Sequence, residues 1–445
     1  MNNSTGFVKQ SDAADTGVTA IRGPALTFSG DVFVKGASAV RYESDAIVAM
    51  KDGKITHFGP ASTIRETLPP DTPVREYGQD SLILPGFIDC HVHYPQTQII
   101  GAYGEQLLDW LEKYTFPAEH AFADPAHASV VAEFFLDECL RNGTTTVATF
   151  CTVHPHTVDV FFEAAARRGM RTIAGKCLMD RNCPPGLSDT AQRGYDESKA
   201  LIDRWHGKGR ASYAITPRFA PSSTPEQMEM AGALWKERPG TYLQSHVAEN
   251  RAEVEFARRL YPERAGYLDI YDHYGQLGPR AIYGHGIYLD EAELARMHES
   301  GTAIAHCPTS NMFLGSGLFD LARAKQPARP VRVGLATDVG AGTSLSMLET
   351  LGAAYKTAQL NGNSLSATAA FYLATRGAAQ ALYLDDRIGS IAVGMEADLV
   401  VLNMKSTPMI EFRMKRCESF EEALFVQMTM ADARAVAATI VNGNI

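Results

Sequence analysis

The sequence predicts an α/β fold: a (β/α)8 barrel of the TIM type over residues 85–384, with a small composite β-sandwich built from both chain ends, residues 1–84 and 385–445. Three observations lead there. Short apolar runs alternate with longer helical stretches through the middle of the chain, both ends carry strand-like runs punctuated by turn pairs, and residues of metal-ligating type recur at the ends of the middle runs.

The composition suits such a chain. Its 445 residues are 45% hydrophobic, with 37 Gly and 22 Pro, enough for a large core in one or two domains. A formal charge of −10 offers no basic face for a phosphate backbone, so no nucleic-acid polymer is expected as a partner. No apolar run reaches the ~18 residues of a membrane helix, and the opening Met1–Gly6 is polar, so no membrane contact and a cytoplasmic location are expected. Seven cysteines, an odd number with no CxxC pair, fit reduced thiols better than a disulfide framework.

Taken in order, the N-terminal part reads as strands at 25–28, 46–50 and 55–59, with Asp52-Gly53 as a hairpin turn. The runs at 389–402 and 438–443 echo it, so the two ends are expected to pair. The first barrel strand is Pro85-Gly86-Phe87-Ile88-Asp89-Cys90-His91-Val92-His93. Alternate strand side chains share a face, so His91 and His93 can close on one ion while Cys90 points away into packing. Seven further strands are expected at 144–150, 171–176, 212–216, 241–246, 281–285, 302–306 and 332–338, with helices at 124–141, 158–168, 225–237, 250–260 and 291–300.

The polar residues fall on one rim. His91 and His93 end the first strand, Arg218 follows the fourth, and His246, His285, His306 and Asp338 end the fifth to eighth. A barrel carries its chemistry at this C-terminal rim. Neutral imidazoles with one carboxylate suit zinc, or alternatively ferrous iron, and we assign His91, His93, His246 and Asp338 to a single ion. Such an ion lowers the pKa of water toward about 7. Glu249, three residues beyond His246, is placed to carry protons, although a Glu there also suits the first turn of a helix. His285 is either a further ligand or a hydrogen-bond partner of the attacking water. A second ion would need a bridging group such as a modified lysine on the fourth strand, which ends Ile215-Thr216-Pro217; Lys176, after the third, is the nearby lysine that could alter this. His154 and His156 read as loop structure, His306 as rim support, and Tyr103, Trp110 and Phe116 either as a lid or as packing.

Over nearly its whole length the chain resembles the amidohydrolase superfamily and, within it, the guanine deaminases. The resemblance lies in PGFIDCHVHYPQ, NGTTT, GKCLMDRNCP, TPRFAPS, HVAEN, YGHGIYL, HCPTSNMFLGSG, GLATDVGAG and GSIAVGMEADLVVL. It implies a single zinc per chain on His91, His93, His246 and Asp338, guanine and water as substrates giving xanthine and ammonia, and a homodimer. It also implies purine contacts from Gln96, Arg218 and Phe219, with backbone at Tyr94 and Pro95 and the ligands His93, His246 and Asp338 beside the base. In that scheme Glu249, His285 and Asp338 are the catalytic groups: Glu249 protonates the ring nitrogen and then the leaving ammonia, Asp338 takes the water proton, and His285 holds the oxygen. Gln96 offers both a donor and an acceptor, Arg218 only donors, and Phe219 an apolar face. Another deaminase or hydrolase of an aminated heterocycle is the competing enzyme reading, and a non-catalytic scaffold the competing non-enzyme one. The unrelated nucleobase-deaminase zinc signature needs PCxxC, which does not occur.

Overall fold

A computed structural model describes residues 17–444, so the Met1–Gly6 segment and the rest of 1–16 lie outside the described residues. The N-terminal strands β1 (Thr19–Phe28), β2 (Val40–Lys51), β3 (Lys54–Pro60), β4 (Val74–Glu76) and β5 (Ser81–Pro85) precede the barrel. The barrel strands are β6 (Phe87–His93), β7 (Thr144–Phe150), β8 (Arg171–Gly175), β9 (Cys177–Leu178), β10 (Ala211–Pro217), β11 (Tyr242–Val247), β12 (Ala281–His285), β13 (Ala303–His306) and β14 (Arg332–Leu335). The chain returns to the first sheet with β15 (Leu399–Asn403) and β16 (Val436–Ile440).

The two chain ends form one sheet in the order β16-β15-β5-β1-β2-β3, with β4 beside β1. Asp52 and Gly53, both at positive φ, turn β2 into β3, as an Asp-Gly pair is suited to do. β15 is a continuous apolar run because both of its faces are covered: Leu399 and Val401 join the sheet's own core, while Val400 and Leu402 pack into the large cluster on the barrel's helices. Between β15 and β16 the expected strand-rich end instead holds two helices, Pro408–Met414 and Phe420–Met430. Leu424, Val426 and Met428 bury the second of them in that same cluster.

A buried ion-pair network ties the sheet to the barrel. Glu396 receives Arg171 at 2.5 Å and Arg210 at 2.5 Å, and Arg210 also reaches Asp398. The Glu396 carboxyl is desolvated, which alone would raise its pKa, but the two guanidinium groups hold it below its ordinary value.

The barrel strands run parallel in the order β14-β13-β12-β11-β10-β8-β7-β6, with β9 continuing β8 along β10. β14 is shorter than the sequence suggests, ending at Leu335 rather than Asp338. Beyond it the chain leaves the ladder of β13 and closes the barrel against β6: Asp338 N–H donates to His91 O at 3.0 Å, and His93 N–H to Val339 O at 2.8 Å. The closing bonds thus belong to residues assigned to the ion.

Candidate active site

The alternation of β6 delivers His91 and His93 to one point at the barrel's C-terminal rim. His246 Nε2 lies 3.1 Å from both His91 Nε2 and His93 Nε2, and Asp338 Oδ1 lies 3.4 Å from the same two nitrogens. Tetrahedral zinc with bonds of about 2.0–2.1 Å to nitrogen would set its ligand atoms about 3.3–3.4 Å apart, so these separations suit one divalent cation. Protonation states agree. His246 Nδ1 is 2.6 Å from the Arg218 carbonyl, which can only accept; Nδ1 therefore carries the hydrogen and Nε2 presents a lone pair. Burial first, and then the neighbouring imidazoles, push His246 well below its ordinary pKa, and burial takes His93 to about 4. Burial works against an ionised Asp338, but the surrounding imidazoles, His91 and His93 first, outweigh it and hold Asp338 well below the usual range.

Neighbouring residues make room for these ligands and fix them. Gly284 on β12 faces His91, where a Cβ would sit 2.7 Å from the ring. Asp89 clips the eighth strand's extension to β6, accepting from Thr337 N at 3.1 Å and Thr337 Oγ1 at 2.5 Å. His285 and Asp338 both hold positive φ, 73° and 51°, as does Ala248 at 49°. Such backbone costs about 1–3 kcal/mol per residue and persists where the surroundings over-determine it, as functional rims do.

His285 lies near the cluster rather than among the tightest contacts, with Nε2 3.7 Å from Asp338 Oδ2 and 3.4 Å from Glu249 Oε2. Its Nδ1 is held at 2.8 Å by Asn311 Oδ1, within the HCPTSN run. Glu249 is 3% exposed and accepts from Ser316 Oγ at 3.1 Å. Its backbone N–H donates to Glu253 at 2.8 Å, so the residue that caps the next helix also fixes Glu249. Burial first, and Asp338 second, push Glu249 up to about 8, which keeps a proton on it at neutral pH; a cation on the neighbouring ligands acts in the opposite direction.

These groups face one cavity at the barrel rim. Gln96, Arg218 and Phe219 line it together with His93, His246, Glu249, His285 and Asp338. Its roof comes from the segment after β6, where Leu107 and Trp110 lead into a turn of π-helix, Leu111–Thr115. Of the three aromatics considered for a lid, Trp110 lines the cavity, Phe116 lies under Arg218 with its ring 5.7 Å from the guanidinium, and Tyr103 is 75% exposed. Tyr94 turns its side chain away into an apolar layer, its hydroxyl donating to Thr157 O at 2.9 Å, and neither it nor Pro95 lines the cavity.

Several residues weighed from the sequence lie elsewhere. Lys176 is wholly buried in an ion pair with Asp189 and also bonds Val153 O at 2.7 Å, away from the ligand cluster. Cys90 packs against Ala378, and neither His154 nor His156 lines the cavity; His156 bonds Phe122 O at 2.8 Å. Burial pushes His306 down to about 3, and its ring packs on Phe319 with centroids 4.9 Å apart. The residue missed outright is Glu119, 1% exposed, which receives Arg218 Nη1 at 2.9 and 2.8 Å and Gln96 Nε2 at 3.0 Å. One glutamate in an apolar turn, 99 residues before its arginine, leaves no local signal.

The amidohydrolase family model matches residues 82–445. The guanine deaminase of Escherichia coli strain K12 is 49% identical over 409 residues, 92% of each chain. A solved structure of E. coli guanine deaminase superposes with a TM-score of 0.93 at 47% identity, covering 96% of this chain and 98% of that one. Guanine deaminase from C. acetobutylicum, solved with guanine bound in its active site, superposes at 0.85 with 26% identity, covering 96% and 99%.

Proposed function

From a chain that belongs to the amidohydrolase family, we propose a hydrolase that converts guanine and water to xanthine and ammonia. The observation that carries this reading is that His93, His246 and Asp338, the Glu249 carboxyl and the Arg218–Gln96 pair all face one cavity. We further infer zinc as the ion, one per chain, and, from the family resemblance, a homodimer of cytoplasmic purine breakdown; metal analysis of the purified protein measures the ion and its stoichiometry, and sedimentation the oligomeric state.

His91, His93, His246 and Asp338 would hold the ion, which would supply an acidified water. The protein's own groups do the rest. Arg218 donates to the oxo group of the base, Gln96 meets the same edge, and Phe219 covers a ring face. Glu249 starts protonated and delivers its proton to the ring nitrogen beside carbon 2 as water adds to that carbon. Asp338, held ionised, takes the water's proton, with His285 orienting the oxygen. Glu249, now ionised, takes the proton of the added hydroxyl and passes it to the amino group as the carbon–nitrogen bond breaks; xanthine and ammonia leave, and the proton held by Asp338 returns to Glu249 to reset the site.

The test is ammonia release by purified, metal-assayed protein from guanine, with adenine, cytosine and ammeline beside it. Stoichiometric xanthine and ammonia from guanine alone is the expected result. Metal-loaded protein that releases none from guanine refutes the substrate, and release from another of the four names the replacement.

A further inference from the structure

Glu119 touches neither the ligand cluster nor the cavity; it stands behind the two side chains that do. A carboxylate only accepts hydrogen bonds, and that constrains both partners. Gln96 must turn its nitrogen toward Glu119, and on the other side its oxygen accepts from Gly340 N at 3.3 Å, so the polarity of the amide is set from two directions. Arg218 spends Nη1 on both oxygens of Glu119, leaving Nη2 and Nε for other acceptors. All three residues are at most 3% exposed, so water cannot substitute for a lost partner at low cost.

We propose that Glu119 is a positioning residue that makes the site selective for a purine with an oxo group beside a ring N–H, by holding the Arg218 donor and the Gln96 acceptor side by side. The proposal rests on guanine as the substrate. A carbonyl next to an N–H complements that pair. An amino group next to a bare ring nitrogen opposes it at both positions, donor to donor and acceptor to acceptor. Sites that read hydrogen-bonding groups in this way reject the mismatched analogue by factors up to about 10⁴–10⁵.

The discriminating probe is 2,6-diaminopurine, which keeps guanine's 2-amino group and exchanges only that edge. Wild type, Glu119→Gln and Gln96→Met are compared for kcat and KM on both purines, with metal content and unfolding temperature measured alongside. A glutamine at 119 can donate as well as accept, which removes one of the two constraints on the Gln96 amide and leaves only the Gly340 N–H to oppose its inversion. The expected result is a fall of about tenfold or more in the guanine-to-diaminopurine ratio of kcat/KM, carried by a higher KM for guanine at unchanged metal content. An equal loss on both substrates marks a merely structural role and overturns the proposal, as does wild-type protein that hydrolyses the two equally. If Glu119→Gln fails to fold, Gln96→Met, which removes the amide that Glu119 orients, carries the test: the same fall is expected, and an unchanged ratio overturns the proposal. Wild type that releases no ammonia from guanine removes the substrate reading itself, an outcome visible before any variant is made.

Discussion

Replacing Gly284 by Ala isolates one requirement of the metal centre. A Cβ at this position on β12 would lie 2.7 Å from His91 Cε1, 3.0 Å from Nδ1 and 3.1 Å from Nε2. Ordinary contact begins near 3.4 Å, so the imidazole must retreat by about 0.7 Å. Ligand atoms tolerate displacements of only about 0.2 Å from good coordination, and the strand backbone on either side is fixed by ladder bonds to β11 and β13. Gly284 is not at positive φ, so Ala adds volume without backbone strain. The expected cost is about 1–3 kcal/mol of overpacking together with a loss of metal affinity of about 10–100-fold. Metal retained after dialysis against graded chelator reads the second effect, and thermal unfolding of the metal-loaded protein the first. A Gly284→Ala protein that retains metal and turns over like wild type would show that His91 is not held in this position, and the argument from the ring contact fails.

Glu249→Gln should keep its metal and lose about 10²–10⁴-fold in turnover, since the amide cannot pass protons; ammonia release and metal analysis on one preparation test this. Chelation should abolish turnover and lower the unfolding temperature, because an ion bound at 1,000 times its Kd adds about 4 kcal/mol, and added zinc should restore both. The Glu396 pKa is depressed in the fold, so its contribution to stability is complete above its unfolded value of about 4.3 and declines as pH falls below it. Glu396→Gln should destabilise the protein at neutral pH by roughly 3 kcal/mol, by stranding Arg171 and crowding Arg210 onto Asp398, and should flatten the acid limb of a urea-unfolding series. An unaltered acid limb would place the dependence elsewhere.

What could be read in the chain was whatever is local. The HxH spacing, the strand runs at 144–150 and 281–285, and the Asp-Gly hairpin need only the period of a strand and the conformational freedom of glycine, and the structure has each of them. The two C-terminal helices were harder. Phe420–Met430 is apolar on more than one side, so its period does not separate helix from strand. The end of β14 was misjudged because Ala336 and Thr337 extend the strand-like run up to Asp338 while the backbone turns away to close the barrel.

The sequence by itself determined that a strand would present two imidazoles on one face and that more ligand-type residues would end other strands, because alternation and strand ends are properties of neighbouring residues. Only the tertiary structure decided which of them meet. His246 reaches His91 across 155 residues, Asp338 reaches it through the backbone bonds that close the barrel, and Lys176 is drawn off to Asp189. It also decided that the two residues matched to the purine are governed by a third: a buried arginine needs a counter-charge, and nothing near Arg218 in the chain reveals that Glu119 supplies it.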